Sequence, residues 1–240
     1  MILIKKMQAP SELEHLKREA EEQGLSDKEG YAELRNPLKS QIRESLMKEQ
    51  GHLCAYCMRR IPDERIREED ADLSDVYIEH WMARTADNKT GENKGLDYRN
   101  MLAVCSGNEK APGAGKHKRR FLTCDKKREN APLKINPLDE KTLETIYYLA
   151  DGTIKATDPE IDYDINIHLN LNCSTEAVTL PENRKKVLDT IQEDLVNQGG
   201  DLRQNCIEQL QMWESEEDPK TPYIGIAIWW LKEQIAQMEC

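Results

Sequence analysis

The sequence predicts an α+β fold, a mainly helical chain interrupted by a short cysteine-rich segment that carries strands. Three observations predict it. Apolar residues recur at helical spacing near both ends of the chain. Short apolar runs, "VYIEHWM" (76–82) and "NMLAVC" (100–105), sit among four cysteines in the middle. Beyond them, "TIYYLADGTIKAT" (145–157) has Asp151-Gly152 where a hairpin would turn.

Three regions follow from this. Residues 1–50 read as helical, with Leu13, Leu16 and Ala20 at helical spacing. Asn36-Pro37 marks a second helix, a cap followed by proline at the first helical position, with Leu38, Ile42 and Leu46 on one face. Residues 51–135 hold four cysteines, three of the five histidines and turn-rich stretches such as "KAPGAGK". Residues 136–240 return to regular structure. The hairpin comes first, and "INIHLNLN" (165–172) alternates like a strand. Three helices then carry Val187, Ile191 and Leu195; Leu202, Cys206, Leu210 and Trp213; and Ile224, Ile228, Leu231, Ile235 and Met238. The apolar stripe of the last, with Trp229 and Trp230, reads as core packing, the alternative being a partner-binding face.

Composition excludes some classes. The 240 residues are 33% charged and 38% hydrophobic, as expected of a globular protein with a modest core. No apolar run approaches the roughly 20 residues of a membrane helix. The opening "MILIKKMQAPSELEHLKREAEEQG" turns charged too early for a signal peptide, so a cytoplasmic protein is expected. The net charge of −11 argues against a general nucleic-acid-coating protein. Residues 101–134, however, hold nine Lys and Arg against three acids, a local +6 that leaves −17 for the rest. That patch is either a phosphate-facing surface or a solvated loop.

Seven cysteines without a signal peptide speak against a disulfide framework. Cys54 and Cys57 form a knuckle, "CAYC". Cys105 ends "NMLAVC", and Cys124 opens "CDKKREN", which reads as a helix start. Four thiolates complete a closed tetrahedral zinc shell. A redox pair and unrelated buried cysteines are the other readings of "CAYC". Cys173, Cys206 and Cys240 lie on other elements and read as small hydrophobes or a terminal thiol.

Between the cysteine pairs, Glu79 and His80 are adjacent within the apolar "IEHWM". An isolated acid–histidine pair is ordinarily a satisfied surface pair. Here the order is knuckle, acid–histidine strand, loop, Asn100 before a second strand, then cysteine and cysteine at a helix start. That order resembles the HNH nucleases, whose ββα-metal (His-Me finger) core is often held by zinc knuckles. The resemblance implies a metal-dependent endonuclease that hydrolyses phosphodiester bonds. It implies His80 as catalytic base and Asn100 as the residue that ties the loop and so aims the ring. Glu79 and Asp125 would bind a catalytic Mg²⁺ or Mn²⁺, and Cys54, Cys57, Cys105 and Cys124 a structural Zn²⁺. Asp125 departs from the usual His or Asn, and His117 is its rival. Proline, common soon after the histidine in relatives, is missing from "HWMART". A histidine suits the base role near neutral pH, and hard divalent cations suit carboxylates. Adjacent strand residues face opposite ways, so a Glu-His pair serving one site implies a strand end or a distortion. Lys116, Lys118, Arg119, Arg120, Lys127 and Arg128 would face nucleic-acid phosphates.

A closer resemblance spans nearly the whole chain. "HLCAYCMRRI", "YIEHWMART", "LDYRNMLAVC", "LKINPLDE", "HLNLNC", "ENRKKVL" and "YIGIAIWWLK" are similar to the PtuB family, the HNH components of Septu anti-phage defence that also stand beside some retrons. That similarity implies a PtuA-like ABC-type ATPase as partner, with a retron reverse transcriptase and its msDNA where a retron is present. The alternative is a zinc-stabilised adaptor of the same fold that binds nucleic acid or protein without cutting. DNA and RNA present the same phosphates, and the sequence does not choose between them.

Overall fold

The computed structural model describes residues 1–62, 75–84, 94–109, 119–175 and 178–238. It is an α+β structure in which helices surround three two-stranded antiparallel sheets. Helix α1 (Ser11–Glu22) buries Leu13 and Ala20, with Leu16 packed against the same core. Helix α2 (Asp27–Glu33) is missing from the sequence reading. At seven residues it has no full apolar stripe, and its signal is a capping box: the Ser26 side chain accepts from the Glu29 N–H, and Glu29 accepts from the Ser26 N–H. Helix α3 (Leu38–Glu49) follows Pro37 as expected and buries Ile42, Leu46 and Met47. Asn36 does not cap it; its Oδ1 accepts from Ser40 Oγ instead.

Strand β1 (Tyr77–His80) pairs with β2 (Met101–Val104), setting Glu79 opposite Leu102 and His80 opposite Met101. Every residue of β2 is buried. The knuckle packs on this sheet: Ala55 N–H donates to the Ala103 carbonyl at 3.1 Å. Buried Gln50 locks the arrangement, donating to the Leu53 and Ala103 carbonyls and accepting from Ala103 N–H, each at 2.8 Å. After β2 comes α4 (Cys124–Arg128), and then a one-turn α5 (Glu140–Leu143).

The hairpin forms as read, from β3 (Ile146–Tyr148) and β4 (Ile154–Ala156). "INIHLNLN" is not a strand. Asp158 caps α6 (Pro159–Tyr163), accepting from Glu160 and Ile161 N–H, and the helical path continues into a wider-pitched turn over Asp164–His168. Ile165 and Leu169 are buried four residues apart while Ile167 is exposed, so helical spacing won over alternation. A short pair, β5 (Ser174–Thr175) and β6 (Val178–Thr179), leads to the three expected helices, α7 (Leu180–Gln198), α8 (Leu202–Glu214) and α9 (Ile224–Gln237).

These three helices share a small core of Ile191, Leu195, Cys206, Ala227 and Leu231. The start of α9 is also tied to the knuckle: Tyr223 N–H donates to the Met58 carbonyl at 2.9 Å. The larger core draws residues from all three sequence regions, from Leu13 through Cys54 and Leu102 to Ile226. The apolar stripe of α9 is thus core packing. Among the described residues, no helix is long and apolar enough to cross a membrane.

Arg184 is buried in α7 and bonded to carbonyl oxygens: Nε to Gly152 at 2.6 Å, and both terminal nitrogens to Leu171 at 3.0 Å. It pins the hairpin turn and the 171–172 segment onto the helix. Arg184→Leu leaves these carbonyls buried without a donor and is expected to lower stability by about 3 kcal/mol. Urea unfolding of the metal-loaded protein, followed by circular dichroism, measures the difference, and a midpoint within error of wild type would rule out this pinning role.

Candidate functional site

The knuckle is built by backbone bonds. Cys54 N–H donates to the Arg59 carbonyl, Met58 N–H to Cys54, and Ile61 N–H to His52, all at 2.9 Å. Met58 and Cys124 take left-handed φ of +60° and +54° without being glycine, a costly conformation that tends to collect at functional sites. The result is that all four predicted cysteine sulfurs converge. Cys54–Cys124, Cys57–Cys105 and Cys105–Cys124 are each 3.8 Å apart. All four lie within 4.8 Å of one another and all are buried. Tetrahedral zinc with bonds of about 2.3 Å spaces its sulfurs by about 3.8 Å, so the cluster could hold a metal ion such as zinc. A redox pair needs two cysteines, not four.

Burial pushes the Cys54 and Cys124 thiols well above their ordinary range, while Cys57, despite burial, is held well below it by hydrogen bonds from the other three cysteines. Arg59 adds positive charge facing Cys105 and Cys57. Cys173 and Cys206 are buried elsewhere, and Cys240 lies outside the described residues. His52, beside the knuckle, is engaged by Asp218, Nδ1 to Oδ1 at 2.5 Å.

Next to this cluster Glu79 is buried, and its Oε1 accepts from Tyr56 Oη at 3.1 Å and from Arg128 Nη1. Burial, followed by the adjacent Asp125 carboxylate, pushes Glu79 up to about 8, with Arg128 opposing. Glu79 and Asp125, separated by 45 residues in the chain, are therefore neighbours. Among the described residues, the cysteine cluster is the group of three or more potential ligands that forms. The two carboxylates make a pair beside it.

Arg128 corrects an expectation. It does not face solvent or phosphate but is 3% exposed. Its guanidinium donates to Glu79, to the His80 carbonyl at 3.1 Å, to Trp81 O at 2.5 Å and to Ala131 O at 2.8 Å. The reason is helical geometry: Arg128 lies four residues after Cys124, on the same inward face of α4. Of the other expected phosphate-facing cations, Arg119 and Arg120 are exposed, and Arg119 pairs with Glu129 at 3.3 Å. Lys127 is half-buried. Lys116 and Lys118, with His117, lie outside the described residues.

His80 ends β1 and is 4% exposed. Its Nε2 lies 3.0 Å from the Gly95 carbonyl. A carbonyl only accepts, so Nε2 carries the proton and Nδ1 keeps its lone pair. The edge of Tyr31 packs against the ring, centroids 4.9 Å apart at 88°. Burial lowers the His80 pKa to about 4, with Arg84 and Arg128 adding to the effect.

Asn100 holds this geometry. Its amide donates to the Met82 and Lys94 carbonyls at 3.0 and 3.1 Å and accepts from Met82 N–H at 2.7 Å. It thereby joins the two ends flanking residues 85–93, next to the carbonyl that aims His80. Asp27 supports the same point, accepting from Lys94 N–H at 2.7 Å. Gly95 lies so close that a Cβ there would meet the Asp27 carbonyl at 2.0 Å. Tyr31, Tyr56, Arg84 and Gly95 are site residues that the sequence reading missed. Only Tyr56 carried a positional hint, from its place between Cys54 and Cys57.

No protein-family model matches the sequence, and comparison with curated proteins finds no relative.

Two outcomes are expected. The purified protein should carry one zinc per chain, and Cys54→Ser should abolish cooperative folding, because structural zinc contributes folding energy directly. Elemental analysis and thermal melts decide it; a metal-free protein that melts cooperatively would refute the metal reading. Second, His80 should stay neutral as the Nε2–H tautomer down to about pH 5. A lowered folded pKa makes its contribution to stability full above about 6.5 and eroded as pH falls toward 4. ¹⁵N shifts of the imidazole report both, and a midpoint near 6.5 would contradict the burial argument.

Proposed function

We propose that this protein is a metal-dependent endonuclease of the HNH type. The observation that carries the reading is the state of His80: one ring nitrogen is committed to the Gly95 carbonyl and the other keeps its lone pair, while Glu79, its neighbour in the chain, has the Asp125 carboxylate next to it. A base with that tautomer takes a proton from water at Nδ1 as the water attacks a phosphodiester. Neutrality at physiological pH keeps the lone pair available. Asn100 acts as a positioning residue, fixing the carbonyl that fixes the ring. Two adjacent carboxylates are a donor set suited to Mg²⁺ or Mn²⁺, and such a cation supplies charge neutralisation at the phosphate and leaving oxygen. Arg128 holds one Glu79 oxygen and leaves the other as a potential donor. Zn²⁺ in the cysteine cluster would be structural, having no open position.

The resemblance to the PtuB family extends this reading. The nuclease would act as effector of an anti-phage complex with a PtuA-like ABC-type ATPase, and with a retron reverse transcriptase and msDNA where one is present. The sequence phrases quoted above carry that extension alone.

A second reading, the adaptor that binds without cutting, is favoured by one observation: Glu79 is already satisfied by Arg128 and Tyr56, and His80 is almost wholly covered. Cleavage separates the two. DNA and RNA are incubated with Mg²⁺ or Mn²⁺, with and without the ATPase. His80→Ala is expected to lose about 10²–10⁴-fold in rate while retaining its zinc and its melt. Equal cleavage by folded His80→Ala would defeat the nuclease mechanism, and no cleavage by wild type with its partner would favour the adaptor.

A further inference from the structure

Arg128 is not the only cation near His80. Lys39 and Arg43 lie one turn apart on α3, about 6 Å along its axis, and Arg35 precedes the helix, its carbonyl accepting from Lys39 N–H at 3.0 Å. The middle of this group meets Tyr31. Lys39 Nζ lies 5.1 Å from the centre of the Tyr31 ring, and the Arg84 guanidinium lies 4.2 Å from it. The edge of that ring is what touches His80.

None of these four cations is in an ion pair among the described residues, and the carboxylate that acts on the same Tyr31 ring is Asp125. Arg43 Nε is buried without a hydrogen-bond partner. Lys39 is flanked by Arg43, Arg84 and Arg35, whose charges add to burial in holding its pKa down. Like charges gathered this way repel one another, and an anion relieves the repulsion.

We propose that Arg35, Lys39, Arg43 and Arg84 form the track that grips the phosphate backbone of the substrate strand as it enters the His80 site. This rests on the nuclease reading of His80 and names its substrate contact. Lys39 and Arg43, about 6 Å apart along α3, match about two successive phosphates at 3.4 Å of rise per nucleotide on one strand, and Tyr31, flanked by Lys39 and Arg84, joins these cations to His80. Cations spaced along a line suit a polyanion of fixed charge spacing and carry no base preference, so the track grips DNA and RNA alike.

The test is binding in the His80→Ala background, which does not consume its ligand. A labelled DNA duplex and a labelled single-stranded RNA of equal length are titrated across a range of salt. Each lost phosphate contact should flatten the slope of log K against log salt by about 0.9 on duplex and about 0.7 on single strand. R35Q/K39Q, both at accessible positions, should therefore flatten the duplex slope by about 1.8. K39Q/R43Q should do the same and guards against an idiosyncratic effect of Arg35; thermal melts check that both pairs fold. R119Q/R120Q, in the other basic segment, is the comparison. If only R119Q/R120Q flattens the slope, or no pair does while binding persists, the track is wrong and the nuclease reading stands. If the protein binds neither probe and wild type cuts neither, both fall together.

Discussion

Four sulfurs from three separated stretches of chain lie within 4.8 Å of one another, buried, and most of the molecule is arranged around that constraint. The knuckle must sit on β2, because Cys105 follows that strand directly and Cys54 and Cys57 must reach it. α4 must begin against the same point, because Cys124 is its first residue. Once α4 is anchored there, its next inward position is Arg128, and Arg128 bonds to Glu79, to the His80 carbonyl that ends β1 and to the Trp81 carbonyl just after it. The cysteine cluster thus fixes the strand that bears the Glu-His pair through one short helix. Even α9 follows, since Tyr223 bonds to the Met58 carbonyl inside the knuckle.

The chemistry next to the cluster is governed by burial opposed by partners. Glu79 and His80 are neighbours on a strand and meet different surroundings. Glu79 meets Tyr56, Arg128 and Asp125; His80 meets Gly95 and Tyr31. Burial acts on both toward the neutral form, raising the acid and lowering the histidine. On the nuclease reading proposed above, a neutral histidine is the state a base needs, and a divalent cation bound by the acids would restore their charge.

Much of this was legible in the residues, and the misses have physical causes. Helices α7, α8 and α9 were readable because each has a long apolar stripe. The hairpin was readable because Asp151-Gly152 states its own turn. Convergence of the cysteines followed from their being few and suitably placed. Helix α2 was invisible to periodicity, and "INIHLNLN" misled because Ile165, Ile167, Leu169 and Leu171 satisfy both alternation and helical spacing; Asp158 capping tipped it toward helix. Arg128 was misread because a basic run looks solvated until the facing of α4 is known. Tyr31 and Arg84 lie far from "IEHWM" in the chain or beyond its end, so only folding brings them to His80.

Net charge and local charge then act at different ranges. A chain of −11 repels a nucleic acid at a distance, so its approach gains nothing from long-range steering. At physiological ionic strength, screening limits that repulsion to about 8 Å between exposed charges. Within that range, on the proposed reading, the ligand meets the charges around Tyr31 and His80. Arg35, Lys39, Arg43 and Arg84 are in no ion pair among the described residues, while on α7 Asp189 is paired with Lys185. An acidic protein can in this way hold a polyanion at one edge and repel it from the others, which restricts where a strand enters without requiring any contact to a base.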